Sequence, residues 1–246
     1  MREFRQPNIA QNEVYVWDLR LDSISVSDLY SFLSADECRR ANDFKFAIDR
    51  DRFITCRGLL RVLLSSSLNV APETLSFVYN PWGKPYLNDV PLYFNVSHSS
   101  DRALIAIASE REIGVDIEQI RPEVEAEEIA NRFFSTEERN ALHNLPSEAL
   151  ERAFFGCWTR KESYVKARGD GLSLQLNEFA VSVDPDEPAA LLRAPGDSAE
   201  TLRWRILDLD APEGFAAALT VQGHDWRLVK KRSHQEMPRS SVLTAI

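Results

Sequence analysis

The sequence predicts an α+β protein, and three observations lead there. Short runs rich in β-branched and aromatic residues recur at 14–19, 92–117 and 179–229. Two long stretches, 49–68 and 148–168, place their apolar residues at near-helical spacing. These segments come in blocks of helix, strands, helices and strands, without the strict alternation of a doubly wound parallel sheet.

Val14 to Leu19 predicts an opening strand. Ser34-Ala35-Asp36-Glu37 follows, with Ser34 placed to cap a helix and Glu37 at the capping-box position. From Asp49 to Leu68, apolar Phe53, Leu59, Leu60, Leu63 and Leu64 alternate with Arg50, Arg52, Arg57 and Arg61, which describes a core helix with a basic flank. Asn80-Pro81-Trp82-Gly83-Lys84-Pro85 reads as a turn. It leads into Leu92–Val96 and Ala103–Ala108, a hairpin whose loop is Ser97-His98-Ser99-Ser100-Asp101. Ile113 to Ile117 is a third strand. Helices are expected over Glu123–Arg139 and Glu148–Arg168, parted by Leu145-Pro146-Ser147, and Gly169-Asp170-Gly171 ends the second. Phe179–Val183, Arg203–Leu207, Phe215–Val221 and Trp226–Val229 suit a second antiparallel sheet, with Pro185–Ser198 as a loop. Lys230–Ile246 is polar and aperiodic and is expected to fray. No internal repeat is visible in the sequence, although both halves have similar element content.

Composition excludes several classes. With 246 residues, 44% hydrophobic and 27% charged, the chain can build one full core or two smaller ones. No apolar run approaches the roughly 20 residues of a membrane helix. The start, Met1 to Pro7, lacks a secretory signal, so a cytoplasmic protein with no membrane association is expected. Cys38, Cys56 and Cys157 are three, widely spaced and without a Cys-x-x-Cys pair, which argues against disulfides and zinc alike. A net charge of −9 argues against nucleic-acid binding.

Chemistry concentrates in two segments. If Gly114-Val115-Asp116-Ile117-Glu118 is a strand, Asp116 and Glu118 leave it on one face, where two carboxylates can share a hard cation. If Trp158 to Lys166 is helical, Trp158, Glu162 and Lys166 stack along one side at i, i+4 and i+8, so Glu162 can supply a third carboxylate and Lys166 can meet an anion. Each feature alone has a plainer explanation. An Asp and a Glu two apart are commonly a solvated strand face, and an i, i+4 ion pair worth ~0.3–0.5 kcal/mol occurs everywhere. His98 is by default a loop histidine, Lys84 a turn residue and Trp158 core.

The order of the motifs is more specific than any one of them. Gly83-Lys84-Pro85, Phe94-Asn95-Val96-Ser97-His98-Ser99, Gly114-Val115-Asp116-Ile117-Glu118 and Trp158-x-x-Lys161-Glu162-x-x-x-Lys166 follow one another along the chain. In this the sequence resembles the 4'-phosphopantetheinyl transferase superfamily, and within it the longer, surfactin-synthetase-type group. The resemblance runs from about Ser34 to Val183. Asp49-Arg50-Asp51-Arg52-Phe53 with Arg57, Arg132 to Glu138, and Gly169 to Ser173 agree with it.

The resemblance implies two similar subdomains, 1–112 and 113–246, each an antiparallel sheet with packed helices, related by a pseudo-twofold with the active site in the cleft between them. It implies Mg²⁺-dependent transfer, with Mn²⁺ as a substitute, of the phosphopantetheine arm of coenzyme A to a serine of an acyl or peptidyl carrier protein, releasing 3',5'-ADP. Asp116, Glu118 and Glu162 become the metal ligands, and oxygen-only donors suit Mg²⁺. Asp116, Glu162 and Lys166 form the catalytic set. Glu162 takes the serine proton directly or through a water on the metal, and Lys166 neutralises the leaving diphosphate. Arg52, Arg57, Lys84, Ser97, His98, Asp116, Lys161 and Lys166 are carried over as coenzyme A contacts, with Arg40 beside them, and Lys161 faces either the pantetheine arm or the second phosphate. Glu37 stands where some relatives place a lysine near the 3'-phosphate. Residues 124–145 are expected to face the carrier, with Phe133 and Phe134 either core or docking patch. Fatty-acid, polyketide and nonribosomal-peptide carriers are all candidates, and by analogy with the group a monomer is expected. A non-catalytic module binding coenzyme A or carrier, and a metal-dependent nucleotide phosphohydrolase, are the competing readings.

Overall fold

Thirteen residues into the chain the alternation of Val14, Val16, Trp17 and Leu19 becomes β1 (Glu13–Arg20), buried on both faces. The computed structural model describes residues 8–196 and 199–231. After β1, α1 (Val26–Tyr30) and α2 (Ala35–Asn42) lead to the long α3 (Ala47–Leu68). The Ser34–Glu37 capping box forms as read, the Ser34 N–H donating to Glu37 at 2.9 Å. A small hairpin, β2 (Phe77–Tyr79) and β3 (Pro85–Leu87), carries the Asn80–Lys84 turn.

The next hairpin is β4 (Leu92–Ser99) and β5 (Arg102–Ser109), paired from Leu92 with Ser109 to Ser99 with Arg102. Here the expected loop is corrected. Ser97, His98 and Ser99 are strand residues, and the turn is Ser100-Asp101, with Ser100 left-handed at φ 55. Then β6 (Ile113–Gln119) is followed by α4 (Ala126–Phe133), α5 (Thr136–His143) and α6 (Ser147–Arg168). The single helix expected over 123–139 is thus two. Ser135 caps α5, its Oγ accepting from the Glu138 N–H, and the chain at Phe134 is extended.

The C-terminal part adds β7 (Ala180–Val181), β8 (Leu191–Arg193), α7 (Ala199–Arg203), β9 (Trp204–Asp208), β10 (Phe215–Gln222) and β11 (Arg227–Lys231). Strand β8 lies inside the stretch expected to be loop and pairs with β7 apart from the main sheets. The expected tail starts later than Lys230, because β11 runs to Lys231, and 232–246 lies outside the described residues.

Two main sheets result, ordered β11-β1-β5-β4 and β6-β10-β9. Strand β11 does not join the second sheet with its sequence neighbours. It returns to pair parallel with β1, while the other ladders are antiparallel. Alternation sorts the cores. Trp17, Leu19, Ile105 and Ile107 face α3, while Val14, Val16, Leu104 and Ala106 meet Val115, Ile117, Leu219 and Val221 of the second sheet. The even residues of β6 turn the other way, onto α6. The order is therefore helix, sheet, sheet, helix, with α3 and α6, 22 residues each, outermost.

Gly114 sets how closely α6 can approach. A Cβ there would lie 2.1 Å from the Ser163 carbonyl oxygen and 2.8 Å from Ala167 Cα, so only glycine allows this contact. Among the described residues no helix is long and apolar enough to cross a membrane.

Candidate active site

Three elements, β4, β6 and α6, meet at one cluster of polar side chains. Strands β4 and β6 lie side by side without a backbone ladder. Instead, alternate side chains of β4 supply the acceptors: Asn95 Oδ1 takes the Val115 N–H at 2.9 Å, Ser97 Oγ the Ile117 N–H at 3.4 Å and Ser99 Oγ the Gln119 N–H at 3.1 Å. The polar character of Asn95-Val96-Ser97-His98-Ser99 thus satisfies an edge that a ladder would otherwise pair. The same hydroxyls then orient carboxylates. Ser97 Oγ donates to Asp116 Oδ1 at 2.8 Å and Ser99 Oγ to Glu118 Oε2 at 2.9 Å.

Helix α6 completes the cluster from the opposite side. Lys166 Nζ lies 2.5 Å from Asp116 Oδ1 and 3.0 Å from Ser97 Oγ. Trp158, Glu162 and Lys166 remain part-exposed, as their i, i+4, i+8 stacking predicts, while Lys161, Ser163, Tyr164 and Val165 between them are buried. Burial, and next the charge of Asp116, push the Glu162 carboxyl above its ordinary range, with Glu118 adding to the rise and Lys166 opposing it. Glu118 is raised in the same way, by burial first and Asp116 second. The His98 imidazole is pushed down, by desolvation and then by the cations Lys166, Arg52 and Arg40, although the residue as a whole is exposed.

Among the described residues no group of three or more His, Cys, Asp or Glu side chains is gathered closely enough to hold a metal ion. Asp116, Glu118 and Glu162 share one electrostatic field without closing into a cage, and Lys166 stands against Asp116. The donor chemistry nevertheless fits a hard cation. All three candidate ligands are carboxylates, the charge of Asp116 raises the proton affinity of Glu118 and Glu162, and Asp116 Oδ2 is buried without a hydrogen-bond partner. An orphaned buried carboxylate oxygen is what an incoming cation would satisfy.

A cavity of about 530 Å³ opens beside this cluster. Its lining combines Glu162, Val165 and Lys166 of α6, Trp82 to Pro85 with Asn95 and Val96, and Arg132 and Phe133 with Leu174 and Leu176. The lining is thus mixed, with charged, polar and apolar side chains around one space. Phe133 and Phe134 divide their roles. Phe134 is core, stacked on Phe154, and Phe133 lines the cavity with the Arg132 guanidinium 5.0 Å from its ring centroid.

Several expected ligand contacts are engaged by partners within the protein. Lys161 is fully buried, donating to Glu138 Oε1 and Oε2 at 2.6 and 2.7 Å and to the Phe179 carbonyl at 2.9 Å, so it has no surface for coenzyme A. Being one residue from Glu162, it points about 100° around the helix. Arg57 packs inward over the Phe77 ring, 3.5 Å from Glu37. Glu37 is itself core: its Oε2 accepts from Arg61 Nε at 2.7 Å, and it faces no phosphate site. Lys84 Nζ is bonded to Glu112 and to the Ile113 and Ala167 carbonyls. Arg52 is held by Asp22 through two bonds of 3.1 Å and keeps a partly exposed face toward His98.

Sequence reasoning missed the seam roles of Asn95 and Ser99, and it missed Arg160. That arginine is buried and reaches both Asp208 oxygens and the Ser182 carbonyl, tying α6 to β9. The polar alternation of β4 was a readable signal for the first two, whereas nothing local marks Arg160 as buried.

Fold and cluster together describe an α+β protein in which carboxylates of β6 and α6 gather around one lysine. Comparison with known proteins makes this specific. Residues 22–112 match the family model "4'-phosphopantetheinyl transferase, N-terminal" and residues 112–220 match that of the 4'-phosphopantetheinyl transferase superfamily. The 4'-phosphopantetheinyl transferase HetI of Nostoc sp. is 39% identical over 91% of this chain and 94% of its own. The 4'-phosphopantetheinyl transferase psf-1 of Bacillus pumilus is 34% identical over 68% and 70%, and Sfp of Bacillus subtilis 33% over 63% and 69%. Among solved structures, the holo-[acyl-carrier-protein] synthase of Thermotoga maritima overlaps 47% of this chain and 64% of its own, at 20% identity and a TM-score of 0.37. The chain belongs to the 4'-phosphopantetheinyl transferase superfamily and is a transferase.

Proposed function

We propose that this protein transfers the 4'-phosphopantetheine arm of coenzyme A to a serine of an acyl or peptidyl carrier protein. The observation that carries the reading is the cluster of Asp116, Glu118, Glu162 and Lys166 beside a cavity that Glu162 and Lys166 line together with the apolar Phe133, Val165, Leu174 and Leu176. The serine Oγ bonds to the phosphorus next to the pantetheine arm, the bond from that phosphorus to the bridging diphosphate oxygen breaks, and 3',5'-ADP leaves. Glu162 accepts the serine proton, and its raised pKa brings it closer to a working base at neutral pH. Lys166 balances charge that builds on the leaving diphosphate. His98, Arg52 and Arg40 form the cationic side of the site and are our candidates for the remaining phosphates. Asp116, Glu118 and Glu162 would hold Mg²⁺, or Mn²⁺ in its place. Such an ion supplies charge neutralisation and polarisation at the diphosphate.

We place the working division of the chain at 1–112 and 113–246, so that β4 brings serines to carboxylates on β6. Residues 124–145, which include the cavity-lining Phe133, are our candidate for the carrier-facing region. We further propose a monomeric, cytoplasmic enzyme serving fatty-acid, polyketide or nonribosomal-peptide carriers. Incubation with coenzyme A, Mg²⁺ and a panel of purified apo-carriers is expected to add one phosphopantetheine mass to at least one of them. Absence of any mass gain across the panel would overturn the reading, and 3',5'-ADP release without a carrier would point to a phosphohydrolase.

A further inference from the structure

We propose that Lys84 is a positioning residue, whose ammonium clamps the ends of α6 and β6 together so that Lys166 and Glu162 are held in register with Asp116. The inference rests on the transferase reading for its catalytic consequence and on geometry for its structural one. Lys84 Nζ donates to the Ala167 carbonyl at 2.9 Å, the Ile113 carbonyl at 3.3 Å and Glu112 Oε2 at 3.2 Å, which uses all three donors. Ala167 follows Lys166 directly, and Ile113 lies three residues before Asp116. One ammonium therefore grips both elements that carry the cluster.

The turn that carries Lys84 is itself braced. Asn80 Oδ1 accepts the Trp82 and Lys84 N–H groups, and Asn80 Nδ2 donates to the Gly169 carbonyl at 2.8 Å. Gly169 is left-handed at φ +75 and ends α6, and a Cβ there would sit 3.2 Å from Lys84 Cδ and 3.3 Å from Asn80 Nδ2. The last carbonyls of α6, which lack partners within the helix, are thus satisfied from the other half of the chain. Only 17% of the Lys84 side chain is exposed, so a phosphate reaching its ammonium would have to break these bonds.

Two variants separate the roles. Lys84→Met removes the donors at similar length, and Lys84→Gln removes the charge while keeping a donor for a carbonyl. Amide hydrogen exchange in Lys84→Met is expected to rise about tenfold over residues 163–169 with α3 unchanged, and Lys84→Gln is expected to restore part of the protection. For arm transfer, kcat in Lys84→Met is expected to fall about a hundredfold while KM for coenzyme A stays within about threefold. Wild-type exchange over 163–169 in Lys84→Met would overturn the clamp whether or not the protein transfers the arm. A raised KM with wild-type kcat would make Lys84 a ligand contact instead. If Lys84→Met does not fold, the exchange and kinetics of Lys84→Gln decide by the same criteria.

Discussion

Asp116 is where the demands of the site converge. One of its oxygens takes Ser97 Oγ and Lys166 Nζ, and the other is buried without a partner. Leaving a buried acceptor unpaired costs about 1–3 kcal/mol, a cost consistent with a group awaiting a ligand. Glu162 adds to it, being part-buried within the field of Asp116 and Glu118. Because its folded-state pKa is raised, its carboxyl holds more protons folded than unfolded. Its charge therefore costs stability as pH rises through the ordinary carboxylate range toward the raised value, and the cost is absent below that range. Glu162→Gln is accordingly expected to raise the melting midpoint of the metal-free protein at neutral pH by about 2 °C, with no gain at low pH, while removing arm transfer. Calorimetry at two pH values and the carrier mass assay read both effects. Lys161 makes the contrasting case. Removing it by Lys161→Met leaves Glu138 charged and buried, and is expected to cost about 3–5 kcal/mol in chemical denaturation. Its loss is not expected to change KM for coenzyme A in the fraction that stays folded.

At the scale of elements, α6 and β6 matter most, because Asp116, Glu118, Glu162 and Lys166, the residues proposed to act, stand on them. Their separation is set by Gly114. Gly114→Ala drives a methyl group into the Ser163 carbonyl and is expected to destabilise by about 3 kcal/mol and to lower kcat, measured by denaturant titration alongside turnover. The break between α4 and α5 is a second such decision. A capping box at Ser135 and Glu138 stops one helix and starts the next, which turns Phe133 toward the cavity and Phe134 into the core. Ser135→Ala is expected to cost about 1 kcal/mol in the same titration. The box was readable from Ser135-Thr136-Glu137-Glu138, yet the apolar spacing of 123–139 also suits one continuous helix, and the capping geometry prevailed.

Across the whole molecule, the two sheets are joined by an apolar interface and, at one edge, by the side chains of Asn95, Ser97 and Ser99. Strand β11 ties the far end of the chain back to β1, and Trp226 just before it is buried in the shared core. Deleting residues 226–231 together with the residues beyond is expected to lower stability by about 3 kcal/mol or more, from the lost tryptophan alone, with the drop in melting midpoint as the readout. The cleft exists only because this assembly holds the N-terminal turn against the C-terminal helix. Its mixture of charged and apolar lining follows from bringing Lys166 and Leu174 to the same cavity.

By itself the sequence determined the α+β class, most strands, the two long helices and the shared face of Asp116 and Glu118. Periods of 2 and 3.6 residues and capping chemistry are local properties, written in consecutive residues. It determined the stack of Trp158, Glu162 and Lys166 for the same reason. Only the tertiary structure decided that Lys161, Arg57 and Glu37 turn into the core, that β11 crosses to the first sheet and that Lys84 grips the ends of α6 and β6. Those outcomes depend on partners far along the chain, several of them backbone carbonyls, and a carbonyl carries no mark in the residue code.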